Sequence, residues 1–207
     1  MPCAKPLPWK VRIPVRYILF NKPFGTLSSF SDPEGRETLK AYIDIPGIYS
    51  AGRLDYDSEG LLLLTDDGSL IHRLTDPRHH LPKTYLVQVE GPVLPEMLAR
   101  LEKGVTIQGY QTRPCRAEAI PDPNLWERRK PITPHAPPVW IQLTLEEGKK
   151  RQIRHMTAAV GLPTLRLVRA AIGPLTLGRL APGEWRELAG AELATLKKLA
   201  QAPGKNI

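Results

Sequence analysis

The sequence predicts an α+β fold. Strand-like runs outnumber helical segments, and the two kinds do not alternate as a doubly wound α/β sheet requires. A composition of 42% apolar and 24% charged residues is that of a globular chain rather than a disordered one. At 207 residues the chain can bury a substantial core without disulfide or metal support.

Residues 1–15 are rich in proline and basic side chains and read as an extended, flexible arm. The apolar run Arg16–Phe20 is a buried strand, ended by the turn Asn21-Lys22-Pro23-Phe24-Gly25. A polar loop, a short helix near Thr38–Tyr42 and a strand over Tyr49–Leu54 come next. Leu61–Thr65 is short and apolar and is followed by the turn Asp67-Gly68, a pattern that suits a buried strand better than a helix. Ser69 then stands where it can cap a short helix through Leu74. Lys83–Glu90 alternates as a half-buried strand does, Leu94–Lys103 is an amphipathic helix stopped by Gly104, and Val105–Ala119 reads as a hairpin. Residues 121–138 hold six prolines and form a loop or flap. Val139–Leu145 is a strand. Gly148 opens a helix that ends at Gly161, Leu165–Ala171 is a further strand, and Ala191–Ala200 is a closing amphipathic helix.

A formal charge of +8 raises the odds of a polyanionic partner, either nucleic acid or an anionic membrane surface. No apolar stretch reaches the length of a transmembrane helix and the N-terminus has no hydrophobic signal core, so a cytoplasmic protein without a membrane partner is expected. Cys3 and Cys115 are too few and too far apart for a disulfide framework or a zinc site, and His72, His79, His80 and His155 form no ligand pattern.

Two segments carry chemistry. In Gly52–Thr65, Arg53, Asp55, Asp57 and Glu59 crowd a loop between two apolar strands, a place where a rigid core can present catalytic groups. The spacing Asp55-x-Asp57-x-Glu59-Gly60 also matches a calcium-binding loop, but the leucine run behind it and the strand-like flanks argue against one. In the second segment, from Gly148 to Gly183, there is no acidic residue against seven basic ones: Lys149, Lys150, Arg151, Arg154, Arg166, Arg169 and Arg179. Such one-sign asymmetry is a phosphate-binding footprint. On a helix from Gly148, Lys150 would share a face with Arg154 and Arg151 with His155, above an apolar stripe of Ile153, Met156 and Val160. Tyr85, in Lys83-Thr84-Tyr85, is either core or a ring that stacks on a base.

The ordered set Asn21-Lys22-Pro23, then Gly52-Arg53-Leu54-Asp55 with Gly60–Thr65, then Lys83-Thr84-Tyr85, then Gly148-Lys149 with Arg151-Gln152-Ile153-Arg154 resembles the RsuA-type RNA pseudouridine synthases, over about Tyr17 to Leu188. The resemblance implies that residues 16–207 are one catalytic domain, with a mostly antiparallel mixed sheet and two lobes flanking a central cleft. Many members carry an N-terminal S4 domain. Only about 16 residues precede the first strand here, so none is expected, and the short subgroup that acts on 23S ribosomal RNA is the better likeness. By the same resemblance Asp55 is the catalytic aspartate and Arg53 helps extrude the target base. Tyr85 stacks on that base, Ile153 lines its pocket and Arg154 pairs with Asp55. Lys22, Lys149, Lys150, Arg151, Arg166 and Arg169 are the RNA-binding candidates. The isomerisation conserves atoms, so no cofactor or metal is expected, and the default state is a monomer. Two alternatives stay open: a non-enzymatic ribosomal-RNA-binding or assembly protein, and a metal-dependent nuclease using Asp55, Asp57 and Glu59.

Overall fold

The computed structural model describes residues 14–76 and 81–201. Nearly all of the expected basic arm, together with Cys3, His79 and His80, lies outside these residues. The strands are β1 (Tyr17–Lys22), β2 (Tyr49–Ser50), β3 (Glu59–Thr65), β4 (Lys83–Glu90), β5 (Thr106–Ile107), β6 (Tyr110–Gln111), β7 (Arg116–Ile120), β8 (Pro138–Leu145), β9 (Thr164–Ile172), β10 (Leu175–Thr176) and β11 (Trp185–Glu187). The helices are α1 (Gly68–Thr75), α2 (Pro95–Lys103), α3 (Gln152–Ala159) and α4 (Gly190–Gln201). Nine strands form one mixed sheet in the order β11-β1-β3-β9-β4-β8-β7, with β2 added on β3 and β10 on β9, and every pairing except β3–β9 is antiparallel.

The apolar run of β3 is explained by burial on both faces. Leu61 and Leu63 join Tyr17 and Leu19 in one core, covered by α1 and α4. Leu62 and Leu64 join Ile18 and Phe20 in a second core, beneath Leu39, Ile43 and Ile48. Side chains alternate across a strand, so a strand between two cores must be apolar at every position. β4 and β8 instead pack on one side. Val87, Val89, Ile141 and Leu143 meet α2 and α3 through Leu101, Ile153 and Met156. These cores define two lobes that meet where β3 and β9 run side by side.

That junction is narrow. β3 and β9 pair over only Glu59↔Val168 and Gly60↔Arg169. Gly60 sits at φ +103°, and a Cβ there would fall against the Arg169 carbonyl oxygen and 2.7 Å from its amide nitrogen. Both contacts are backbone, which cannot move aside. We therefore expect Gly60→Ala to part the strands and lower the urea midpoint well beyond the roughly 1 kcal/mol of an ordinary glycine replacement; an unchanged midpoint would show that the junction is more pliable than its spacing implies.

Beside Gly60, the buried Glu59 carboxylate receives both nitrogens of a fork from Arg166, Nε and Nη2 each at 2.9 Å. The loop 121–137 crosses from β7 to β8 and is anchored on the same carboxylate. Trp126 donates its indole N–H to Glu59 at 2.9 Å, and Arg128 lies 3.6 Å from it. Arg129 reaches Glu37 at 2.8 Å and the Tyr42 hydroxyl at 2.6 Å. The proline-rich segment is thus a strap tying the second lobe to the first.

Four local expectations are corrected. The helix expected from Gly148 begins at Gln152, because Arg151 takes a left-handed backbone (φ +52°) and Gln152 turns its side-chain oxygen back to the Lys149 amide. Lys150 and Arg151 therefore precede the helix and share no face with Arg154 or His155. The cap of α1 is Asp67, whose Oδ1 accepts from the Leu70 amide, while Ser69 donates to that same carboxylate; an anion suits the positive end of a helix. In the 105–119 segment β5 and β6 make a small hairpin, and β7 departs to pair with β8. The strand expected over Tyr49–Leu54 stops at Ser50.

Candidate active site

Residues 51–58 leave the sheet between β2 and β3 and are pinned from below. Ser28 clasps Leu54 by both backbone groups, its hydroxyl donating to the carbonyl at 2.9 Å and accepting from the amide at 3.0 Å. The Gly25 amide donates to Tyr56 O at 2.9 Å, and the Ser58 amide closes a turn onto Asp55 O at 3.1 Å. The position of Asp55 is therefore set by backbone bonds, independent of its own carboxylate.

This loop overhangs a cavity of about 650 Å³ between the lobes. Arg53 and Asp55 form its wall on the first lobe, Lys149, Lys150 and Arg151 its rim on the second, and Tyr85, Ile153, Leu145 and Leu167 an apolar side. Lys83 and Tyr85 are two residues apart on β4 and so face the cavity together. A register shift of β4 against β9 between Thr84 and Tyr85 sets Tyr85 opposite Arg169, which also lines the cavity. Such irregularities re-aim side chains beside functional sites. Arg169 is buried, donating through Nε to Leu61 O at 2.8 Å and through Nη1 to Arg53 O at 3.4 Å; its Nη2 has no hydrogen-bond partner.

The charge pairing differs from expectation. Arg154 bonds Asp57, not Asp55: its Nη2 lies 3.0 Å from the Asp57 carbonyl and 3.3 Å from the carboxylate. Arg151 grips the same carboxylate by a fork at 3.0 and 2.9 Å. Burial works against the Asp57 anion, but the Arg151 hydrogen bond and the charges of Arg154 and Arg151 outweigh it and hold its pKa below the ordinary value. Asp57 comes from the first lobe and both arginines from the second, so the clamp spans the cleft beside Asp55. A single residue separates Asp55 from Asp57, and only the longer reach of the fold decides which of them meets the arginines.

Arg53, Asp55, Tyr85, Ile153, Lys149, Lys150, Arg151 and Arg169 are brought to one cavity. Two RNA-binding candidates, Lys22 and Arg166, are corrected, and a third, Arg169, lies inside the cavity instead of on the surface. Lys22 is wholly buried, its ammonium donating to Pro23 O at 2.9 Å and Thr26 O at 2.7 Å, and burial pulls its pKa down to about 7 against the opposing pull of Glu59, Asp57 and Asp55. Arg166 is locked to Glu59. Arg169 is buried and lines the cavity wall rather than the outer surface. A counted positive charge does not reveal whether water or a carboxylate surrounds it. Nor do Asp55, Asp57 and Glu59 converge: Asp57 and Glu59 each serve arginines, and among the described residues no three His, Cys, Asp or Glu groups are placed to hold a metal.

Four residues escaped the sequence reading. Lys83 has its pKa lowered to about 8 by burial and by Arg169, and its place in Lys83-Thr84-Tyr85 was a usable signal. Glu147 gathers the Tyr110 hydroxyl at 2.7 Å, the Arg113 amide at 3.0 Å and the Gln152 side-chain amide, bringing Tyr110 and Arg113 to the rim, where Lys149 stands 3.5 Å from the Tyr110 ring centre. Tyr110, Arg113 and Glu147 arrive from separate segments and carried no local signal. Cys115 is half-buried and donates to Leu101 O, with its thiol pKa pushed up to about 11 by burial, which fits an inert thiol.

Fold and cleft together define the class: the chain belongs to the RNA pseudouridylate synthase family, whose model matches residues 16–159. It is 49% identical over 175 residues to a ribosomal large subunit pseudouridine synthase E of Vibrio parahaemolyticus, covering 84% of this chain and 74% of the relative. It is 54% identical over 170 residues to the protein of the same description in Xanthomonas axonopodis pv. citri, covering 80% and 90%. A crystal structure of a pseudouridylate synthase superposes with a TM-score of 0.75 at 34% identity, over 90% of this chain and 74% of that one.

Proposed function

We propose that this protein converts one uridine of 23S ribosomal RNA to pseudouridine, with Asp55 as the catalytic residue. The observation that carries the reading is Asp55 itself, a carboxylate held by backbone bonds at the wall of a cavity that is apolar on one side and basic at its rim. Relatives named as large subunit pseudouridine synthase E supply the substrate class. The reaction breaks the N1–C1′ bond of uridine, turns the uracil and forms a C5–C1′ bond; the C5 proton leaves to solvent and N1 gains one. No cofactor is needed, and what the site must supply is an anion near C1′ or the uracil ring and a pocket that retains the detached base.

In this reading the target nucleotide is flipped out of its stack, which costs a few kcal/mol. Arg53 enters the vacated place, Tyr85 stacks on the uracil and Ile153 walls its edge. Arg169 lines the same cavity, paired with Tyr85 across β4 and β9. Lys149 and Lys150 contact phosphates at the rim, and Arg154 holds the two lobes in register through Asp57. A purely non-enzymatic RNA-binding protein would have no use for a carboxylate beside Arg53, where it opposes phosphate binding.

The test is to incubate purified protein with a protein-free 23S rRNA transcript and map pseudouridine by carbodiimide-stopped primer extension. One new stop is expected. No stop would overturn the assignment, and many stops would overturn its single-site character.

A further inference from the structure

The face of the Asp55 loop that turns away from the cavity carries an aromatic patch that the isomerisation itself does not use. Tyr56 follows Asp55 and is 43% exposed, unusual for a large ring outside a contact. It is nonetheless fixed. Its carbonyl accepts from the Gly25 amide at 2.9 Å, and a Cβ at Gly25 would stand 3.7 Å from its hydroxyl oxygen, so the ring lies across that glycine. The Phe24 ring is 6.5 Å away and tilted by 47°. Behind Phe24 the Arg128 guanidinium stacks with its carbon 3.8 Å from the ring centre. The layers run Glu59, Arg128, Phe24, Tyr56 from the buried junction outward.

The charges here decide which ligand the patch fits. Arg128 faces Glu59 at 3.6 Å, and Arg36, close enough to interact with the Tyr56 phenol, is ion-paired to Asp32 at 2.7 Å and to Glu34 at 3.2 Å. Arg36 is thus already neutralised, and Arg128, which shares Glu59 with Arg166, is buried behind Phe24 with 12% of its side chain exposed, so neither cation is open to a phosphate. A rigid, solvent-facing aromatic surface backed by a guanidinium is suited to the face of an unpaired base.

We infer that Tyr56, supported by Phe24 and Arg128, is a stacking site for a nucleobase flanking the flipped uridine, and that it helps determine which uridine is chosen. This rests on the reading of the cleft as an RNA site. A preformed platform needs little ordering on binding, because the ring is already held by Gly25 and Phe24.

The experiment compares wild type, Tyr56→Ala, Tyr56→Phe and Tyr56→Trp on the 23S rRNA transcript, following tritium release from uridine labelled at C5 and measuring Kd by filter binding. For Tyr56→Ala, KM and Kd should rise roughly 10-fold with kcat changed by less than about twofold, and Phe and Trp should retain wild-type values within about threefold. Alanine values equal to wild type overturn the site, and so do Phe and Trp values as poor as alanine's. The decisive arm is an oligoribonucleotide spanning the mapped uridine with an abasic nucleotide on one side or the other. On the stacked side the abasic change should weaken wild type as much as Tyr56→Ala does, and weaken Tyr56→Ala no further; additive losses on both sides overturn the site. Wild type that binds the RNA but releases no tritium would instead overturn the isomerase reading, while the Kd comparison still judges the patch.

Discussion

Asp55→Asn is expected to abolish pseudouridine formation while leaving RNA affinity within a few-fold. Asparagine has the shape of aspartate but neither its charge nor its nucleophilicity, so it can neither attack the sugar or ring nor stabilise a detached sugar cation. The loop has no reason to move. Leu54, Tyr56 and Ser58 are held through backbone groups, and Asp55 itself is fixed through its carbonyl, which accepts from the Ser58 amide. Single-turnover tritium release should fall on the order of 10⁴-fold or more, the scale seen when a nucleophile is removed from a preorganised site. Filter binding on the same RNA should barely change, since the rim cations are untouched. A variant retaining a few per cent of the rate would move the catalytic role to another group.

The second large effect concerns the lobe junction. Glu59→Ala should destabilise the fold by about 3–5 kcal/mol, because it leaves Arg166 buried without its counter-ion and also strips the Trp126 indole and Arg128 of their partner. For a chain of this length that corresponds to a fall in Tm on the order of 10 °C. The pair Glu59→Leu with Arg166→Met should be far less damaging than the sum of the single changes, since an apolar pair of similar size removes both desolvation costs. It should not fully match wild type, because the Trp126 N–H still lacks an acceptor. Urea unfolding of wild type, Glu59→Ala, the two single replacements and the double variant measures this directly. Wild-type stability should also be nearly insensitive to salt at this pair, since buried charges are weakly screened. A Glu59→Ala loss below about 1 kcal/mol would mean that water reaches Arg166.

Much of the architecture was legible from local pattern. Lys83–Glu90 alternates because one face of β4 is packed, and the structure gives that strand the same bounds. The leucines of 61–64 announced a doubly buried strand, although its start at Glu59 did not show, because a glutamate at a strand end reads as loop until Arg166 is found beside it. The helix begins four residues after Gly148, because Arg151 takes a left-handed backbone while its side chain reaches Asp57, 94 positions away.

The candidate site divides in the same way. Residue types and spacing singled out the loop that bears Arg53 and Asp55, whereas Tyr85 and Ile153 entered as site candidates through the family resemblance; all four line one cavity. Pairing and burial were not available from spacing. Arg154 meets Asp57 rather than Asp55, and Lys22, Arg166 and Arg169 turn inward although their letters suggest a basic surface. Strand periodicity is a property of neighbours two residues apart, and the chain carries it in plain view. The partner of a charge is chosen by segments 90 to 110 residues distant, as with Arg154 and Asp57 or Arg166 and Glu59, and emerges only when the lobes close on each other.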